Sequence, residues 1–342
     1  MVTMTSQPLP PLPALLETAR VVSVPLRVRF RGVEHREALL FRGPAGWGEF
    51  CPFLEYGPAE SSRWLACAIE AAYAGFPARR REEVPVNATV PAVAPERVPE
   101  VLERFPGEVR EVKVKVAERG QDLEDDVARV RAVRRAAPGA VLKMDANGGW
   151  DHDEALRAAR ALAEFEPAYL EQPVAGIEGL ARLREALSRE GLPVPIAADE
   201  SVRKEEDPLR VARAGAADLI VVKAPPLGGV RAALEVIERA GLPAVVSSAL
   251  ETSVGMSAGL ALAAALPELP HACGLGTASL LAADLVGEPL TPRDGRLPVV
   301  RAEPEPELLE RHAASPERRA WWLRRLRAAY GELSGQQPDS RR

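Results

Sequence analysis

Asp145, Glu171, Asp199 and Lys223 each close a short apolar run: Met144-Asp145-Ala146-Asn147, Leu170-Glu171-Gln172-Pro173, Ala198-Asp199-Glu200-Ser201 and Val222-Lys223-Ala224 lie about 24 to 28 residues apart. A polar turn and a helix-like segment follow each of them. The interval fits one strand, one loop and one helix, so each βα unit offers one ionisable residue. In a barrel of parallel strands the C-terminal strand ends converge on one face, where active sites are built. Three carboxylates gathered there would hold a divalent cation. Lys113-Val114-Lys115 closes an earlier run, which sets lysines across from Lys223 as an acid/base pair.

Period two along a strand decides which side chains share the barrel interior. Lys113, Lys115, Asp145, Glu171, Asp199 and Lys223 are expected to face inward, with Val112, Val114 and Val116 facing the helices. Charge inside a barrel is costly unless it is paired or metal-bound. Taken singly, each residue reads equally well as an ordinary salt bridge at a strand end. The ordered set, on consecutive strands two to six, argues for a site. All-carboxylate ligands with no His or Cys beside them favour Mg²⁺, or Mn²⁺, over zinc. Such an ion keeps positions open for water and for a carboxylate-bearing substrate. Metal binding stabilises the dianion formed when the substrate's α-proton leaves. Lys115 and Lys223 suit the base if the cation and their mutual repulsion lower their pKa values. The reaction class is metal-assisted proton abstraction next to a carboxylate.

Other polar residues are secondary. Glu200 has the opposite parity to Asp199 and is expected behind the ligands. Asn147 reads either as a partner of the metal's water or as a turn residue. Ser247, Ser248, Glu251 and Thr252 follow the seventh run, and Gly274 to Thr277 the eighth. Such loops contact substrate in barrels, or cap helices. The four histidines form no spaced pair and are assigned no chemistry.

The elements that must position these residues are eight apolar runs, at 85–90, 112–116, 141–145, 168–172, 194–198, 219–223, 244–248 and 271–276. Helix-like segments with i, i+3, i+4 apolar spacing lie between them, as at 125–136, 153–165 and 230–240. Alternating strands and helices require parallel pairing. The expected fold is an α/β (β/α)₈-type barrel over 84–290. An α+β capping domain precedes it at 1–83, with 291–342 returning to that cap. Within the cap, residues 1–18 read as a Pro-rich frayed tail, 20–53 as antiparallel hairpins and 60–76 as a helix. The run 297–300, followed by a helix through Trp321-Trp322 to Tyr330, is expected to return and cover this module.

A net charge of −5 disfavours nucleic acid or an anionic membrane as partner. The Arg-rich stretches 79–81 and 318–327 read as solvated faces. Three distant cysteines suggest buried thiols in a reducing compartment. No signal peptide is read at the N-terminus, and no run reaches the ~18 apolar residues of a membrane span. A cytoplasmic enzyme acting on a small-molecule carboxylate, and a monomer, is expected.

The set Lys113-x-Lys115, Asp145-x-Asn147, Glu171-Gln172-Pro173, Asp199-Glu200-Ser201 and Lys223 resembles the enolase superfamily, over about residues 20 to 300, and within it the muconate-lactonising subgroup. The pairing of a Lys or His base with Mg²⁺ is a known property of that superfamily, which the resemblance brings to this chain. Gly46-Trp47-Gly48-Glu49 with Pro52 and Tyr56, Ser247 to Gly255, and Gly274-Leu275-Gly276-Thr277 are most similar to the o-succinylbenzoate synthases of menaquinone biosynthesis. The resemblance implies that Asp145, Glu171 and Asp199 bind Mg²⁺. It implies that Lys115 removes the ring proton of 2-succinyl-6-hydroxy-2,4-cyclohexadiene-1-carboxylate and then protonates the departing hydroxide. Lys223 would stay charged beneath the ring, a cation–π-like position. Substrate contacts would come from Lys113, Asn147, Ser247, Ser248 and Gly274. The cap's loop at 27–32, with Arg27, and the segment 50–56 would close over the succinyl tail. Lys143 stands where an Arg is common in that family. The alternative activity is racemisation or epimerisation of N-succinyl (N-acyl) amino acids, with the same metal site and both lysines as bases.

Overall fold

A computed structural model describes residues 9–30, 33–192, 194–202 and 207–335. Helix α1 (Leu12–Glu17), strands β1 (Arg20–Phe30), β2 (Val33–Gly43) and β3 (Gly46–Phe50), and helix α2 (Pro58–Ile69) form the N-terminal module. Its three strands pair antiparallel in the order β1-β2-β3. The expectation of a frayed start fails for residues 9–18. α1 forms with Pro at its first turn, where a missing N–H costs nothing, and buries Leu15 completely. Residues 1–8 lie outside the described residues.

Strand β4 (Glu83–Pro85) precedes the alternating part. That part runs β5 (Ala88–Val90), α3 (Val98–Leu102), β6 (Glu111–Lys115), α4 (Leu123–Ala136), β7 (Val141–Asp145), α5 (His152–Leu162), β8 (Tyr169–Glu171), α6 (Ile177–Arg189), β9 (Ile196–Ala198), α7 (Asp207–Arg213), β10 (Leu219–Val222), the short α8 (Ala224–Leu227), α9 (Val230–Ala240), β11 (Ala244–Val246) and α10 (Ser253–Ala265). The helices start where the sequence supplies caps: Asp122 with Asp125, and Asp151 with Glu154, form reciprocal capping boxes on α4 and α5. Strands β5 to β11 make one parallel sheet in chain order. Residues 273–274 join its edges. Cys273 N–H donates to Pro85 O (2.7 Å) and Gly274 N–H to Val246 O (2.8 Å), while Cys273 O and Gly274 O accept from Asn87 and Ser248. The result is a modified (β/α)₈ barrel under a cap. The eighth unit lacks the expected helix and has only a 3₁₀ turn, Gly276–Leu280.

Side chains sort by parity, as a pleated sheet requires. Val112, Val114, Leu142, Met144, Leu170, Ile196, Ile220, Val222 and Val246 pack outward against the helices. Tyr169, Ala197, Leu219, Val221 and Val245 pack together inside the barrel.

After the barrel come β12 (Arg296–Pro298), α11 (Pro306–Arg311) and α12 (Pro316–Ser334). The run 297–300 does not cover the first module as expected: β12 pairs with β4, and Leu297 joins the barrel core. The expected helix through Trp321 to Tyr330 is α12, and it does pack on the module, burying Trp322 and Leu326 with Phe50 and Leu65. The Arg-rich stretches are not merely solvated. Arg80 and Arg81 donate to the carbonyls of Ala265, Ala263, Leu266 and Pro267, which the C-terminus of α10 leaves unpaired. Arg318 binds Glu37, and Arg325 binds the carbonyls of Phe53 and Tyr56. Among the described residues no helix is long and apolar enough to cross a membrane.

Candidate active site

The ladder aligns the first three strand ends. Lys115 pairs with Asp145, and Asp145 with Glu171, so three ionisable side chains lie in one row on β6, β7 and β8. Asp199 and Lys223 follow directly after β9 and β10. Lys113, two residues below Lys115, extends its ammonium upward between two carboxylates: its Nζ is 2.8 Å from Glu171 Oε1 and 3.3 Å from Asp145 Oδ2. Lys115 Nζ lies 2.5 Å from Asp145 Oδ2 and 2.7 Å from Asn147 Oδ1. Lys223 Nζ is bonded to Asp199 Oδ1. The six residues expected to face inward are thus brought together.

The three carboxylates are buried, and their environments push them apart. Burial opposes charge on Asp145, but the ammonium groups of Lys115 and Lys113 outweigh it and hold that carboxyl far below the usual range. Asp199 is likewise disfavoured by burial and then lowered by Lys223 and Lys113. For Glu171, burial and then repulsion from Asp145 prevail over Lys113 and push the carboxyl well up. Lys113 resists burial through Glu171 and Asp145, which raise it well above an ordinary lysine.

Among the described residues no three His, Cys or acidic side chains already converge on one ion. The donor chemistry nevertheless fits a hard divalent cation. Asp145, Glu171 and Asp199 present only oxygens, from neighbouring strands, and the lysine ammonium groups stand beside them as the positive charge the carboxylates require.

Residues around the row fix its geometry. Asn147 and Gln172 adopt positive φ of 47° and 38°; Ala117 and Leu250 do the same, at 59° and 64°. Four of the six described non-glycine residues in that region therefore sit in loops that follow strand ends of the site. Strain held in such places marks positions over-determined by their surroundings. Gln172 Oε1 accepts from the N–H groups of Asp199 and Ser201. Glu200 lies behind the row, accepting from Asn147 Nδ2 at 3.3 Å.

A cavity of about 470 Å³ opens over the row. Lys113, Lys115, Asp145, Asn147, Asp199, Lys223, Ser247, Ser248 and Gly274 line it from the barrel, and Phe53, Tyr56 and Trp64 from the cap. Ser248 and Thr277 hydroxyls are 2.6 Å apart. A side chain at Gly274 would meet Ser247 Oγ at 2.6 Å and Cβ at 3.3 Å, so any other residue there would displace that hydroxyl. Arg27 is not brought to this cavity. Its Nε donates to Leu281 O (2.9 Å), and it lines a neighbouring cleft with Arg97 and Arg104. Arg31 and Gly32, in the expected closing loop, lie outside the described residues. Lys143 faces inward but toward the other end of the barrel, where it meets Glu111 (2.7 Å) and Ala272 O (2.6 Å).

Thr89, at the end of the first barrel strand, and Trp64, in the cap helix, line the cavity without standing out in the sequence. Thr89 carries a usable signal, its position in the run 85–90. Trp64 carries none, because it reads as one more apolar residue of an amphipathic helix.

The cap is fastened to the barrel by carboxylates. Glu49 accepts from Thr252 N–H (3.1 Å) and Gly255 N–H (3.0 Å), in the first turn of α10. Glu70 accepts from Val230 N–H and Arg231 N–H at the start of α9. Both helix starts present unpaired donors, and the cap's two carboxyl groups supply the acceptors.

Residues 97–304 match the family model described as enolase C-terminal domain-like, and residues 21–72 the one described as enolase N-terminal domain-like. The chain is 55% identical over 326 residues to the o-succinylbenzoate synthase of Mycobacterium tuberculosis (strain H37Rv), spanning 95% of this chain and 97% of that protein. It is 56% identical over 322 residues to that of Mycolicibacterium smegmatis, spanning 94% and 98%. Among solved structures, the muconate lactonizing enzymes of Pseudomonas putida and Pseudomonas fluorescens share its fold, each at 24% identity. Their TM-scores are 0.71 and 0.73, with 86% and 87% of this chain and 98% of each of theirs covered.

Proposed function

The chain belongs to the enolase superfamily and, within it, to the o-succinylbenzoate synthases, and from that premise we propose how its residues divide the work. The reaction is the dehydration of 2-succinyl-6-hydroxy-2,4-cyclohexadiene-1-carboxylate to o-succinylbenzoate, a step of menaquinone biosynthesis. A divalent cation serves it, and we assign Mg²⁺ to Asp145, Glu171 and Asp199. Bound there, the ion supplies the positive charge that offsets the dianion formed on proton loss.

The chain's own groups do the rest. Lys115 takes the proton from the ring carbon bearing the carboxylate. The same lysine then returns it to the departing hydroxyl, which leaves as water, and the ring becomes aromatic. Asn147, 2.7 Å from Lys115 Nζ, orients that amine. Lys223, four strands away across the barrel, stays protonated under the ring and holds the developing negative charge. Lys113 holds Asp145 and Glu171 in register and offsets their charge. Ser247, Ser248 and Gly274 form the substrate-facing wall, and Phe53, Tyr56 and Trp64 exclude water from above. We take residues 1–83 as the cap, 84–290 as the barrel and 291–342 as the returning tail. We place the enzyme in the cytoplasm as a monomer, acting on a small dicarboxylate and with neither nucleic acid nor membrane as partner.

The observation that carries this reading is the single row of Lys115, Asp145 and Glu171, continued by Asp199 and Lys223, in a chain so close to the synthases. The test is the ultraviolet diene absorbance of the cyclohexadiene carboxylate, followed with Mg²⁺ and with EDTA. Mg²⁺-dependent loss of that band is expected. No turnover in Mg²⁺ would refute the reading and direct the next assay to deuterium exchange into N-succinyl amino acids.

A further inference from the structure

Part of the cavity wall has no regular structure, and its backbone is held by side chains. The segment Ser248 to Glu251 leaves the seventh barrel strand and presents Ala249 and Leu250 to the cavity beside Phe53 of the cap. Glu251 accepts from Ala249 N–H at 2.8 Å. Arg36 Nε donates to Leu250 O at 2.9 Å, and its Nη2 donates to Ala249 O at 3.2 Å and to Cys51 O. Leu250 itself sits at φ +64°, a conformation a branched residue keeps only when its neighbours enforce it. Arg36 is 4% exposed, with its guanidinium 4.5 Å from the centre of the Phe53 ring. A buried guanidinium is costly unless its donors are filled. Here Nε and Nη2 are filled by carbonyls of the two segments that meet over the cavity, one from the cap and one from the barrel.

Resting on the reading above, we propose that Arg36 is a positioning residue for substrate specificity. By holding Ala249, Leu250, Cys51 and Phe53 in one arrangement, it shapes the part of the cavity that receives the succinyl tail. The ring carboxylate must lie at Lys115, Lys223 and the three acids for the proton to move, so the tail extends into the remainder, which this wall bounds. Arg36 touches neither the row nor the reacting atoms. Its removal therefore loosens the tail's enclosure and leaves the ring carboxylate's partners in place.

The test titrates o-succinylbenzoate and benzoate, each with saturating Mg²⁺, into the parent, Arg36→Met and Arg36→Lys. Arg36→Met is expected to weaken o-succinylbenzoate about tenfold or more while benzoate stays within about twofold, as the loss of buried charge-assisted hydrogen bonds behind one part of a pocket would do. The kinetic counterpart is a fall in kcat/KM carried by KM rather than kcat. Arg36→Lys, which keeps the charge and can bond one carbonyl, should recover part of the difference. Unchanged o-succinylbenzoate binding, or equal weakening of both ligands, overturns the proposal; the second is what general loosening produces. If Arg36→Met does not fold, Arg36→Lys alone is read by the same criterion of unequal weakening. Failure of the parent to bind o-succinylbenzoate in Mg²⁺ would instead refute the reaction, whereas parent binding with no discrimination by the variants rejects only the role of Arg36.

Discussion

Glu49 gives the clearest quantitative handle on how the cap is held. Its carboxyl is buried at the start of α10, beside Glu251, and burial, opposed by the Thr252 hydroxyl and reinforced by Glu251, pushes it up to about 7 from 4.5. Between those values the folded protein keeps a proton that the unfolded chain has released. Stability from this group is therefore fully present below pH 4.5 and is lost as pH rises through about 7. A difference of that size is worth about 3 kcal/mol at ~1.4 kcal/mol per unit. Glu49→Gln keeps a carbonyl for Thr252 N–H and cannot ionise. Urea unfolding of parent and variant at about pH 5, 6, 7 and 8, at fixed Mg²⁺, gives the difference curve. The variant should be equal or less stable at about pH 5, where its amide loses one hydrogen bond at a cost of about 1 kcal/mol, and should gain on the parent steadily towards about pH 8. Parallel pH profiles for the two proteins would refute the protonated, buried Glu49.

Other perturbations test separate parts of the structure. Lys115→Ala and Lys223→Ala should each lower kcat by at least ~10³ while calorimetric Mg²⁺ affinity stays largely intact; near-native turnover in either would remove that lysine from the mechanism. Asp145→Asn should abolish the rise in Tm that Mg²⁺ gives the parent, and an unchanged Mg²⁺ response would exclude it as a ligand. Lys143→Met removes the ammonium from Glu111 and the Ala272 carbonyl; with Glu111 part-exposed and still bonded by Ala272 N–H, the cost is expected below the roughly 3–5 kcal/mol of a fully buried pair. The paired change Lys143→Met with Glu111→Leu should recover part of that loss, which a sum of independent effects would not do. Glu70→Ala should destabilise by about 1 kcal/mol through the uncapped start of α9, with kcat changed less than Tm.

The site is legible in the sequence because its rules are local. A strand end marks a face, and period two sets which residues share it, so Lys115, Asp145 and Glu171 fall in one row once the ladder forms. Parity also turns Lys143 inward, but does not say to which end of the barrel it points. It sits level with Lys113, whose ammonium turns up into the row, while its own turns away to Glu111 and Ala272 O, so it serves barrel closure. In the eighth unit closure rests on backbone bonds of two residues, 273 and 274, and a 3₁₀ turn rather than a helix follows them. The arginines of 79–81 and 318–327 look solvated because nothing nearby in sequence needs them. Arg80, Arg81, Arg318 and Arg325 find their partners far along the chain, in carbonyls at the end of α10, in Glu37 and in carbonyls of the cap segment 52–56. The same holds for Glu49, 203 residues from Thr252, and for Arg36, 214 residues from Leu250. Chemistry at strand ends repeats with the period of the fold and can be read residue by residue. The cap's grip on α9, α10 and the Ala249–Leu250 wall depends on which distant donors the fold leaves unpaired, and those exist only once the barrel has closed.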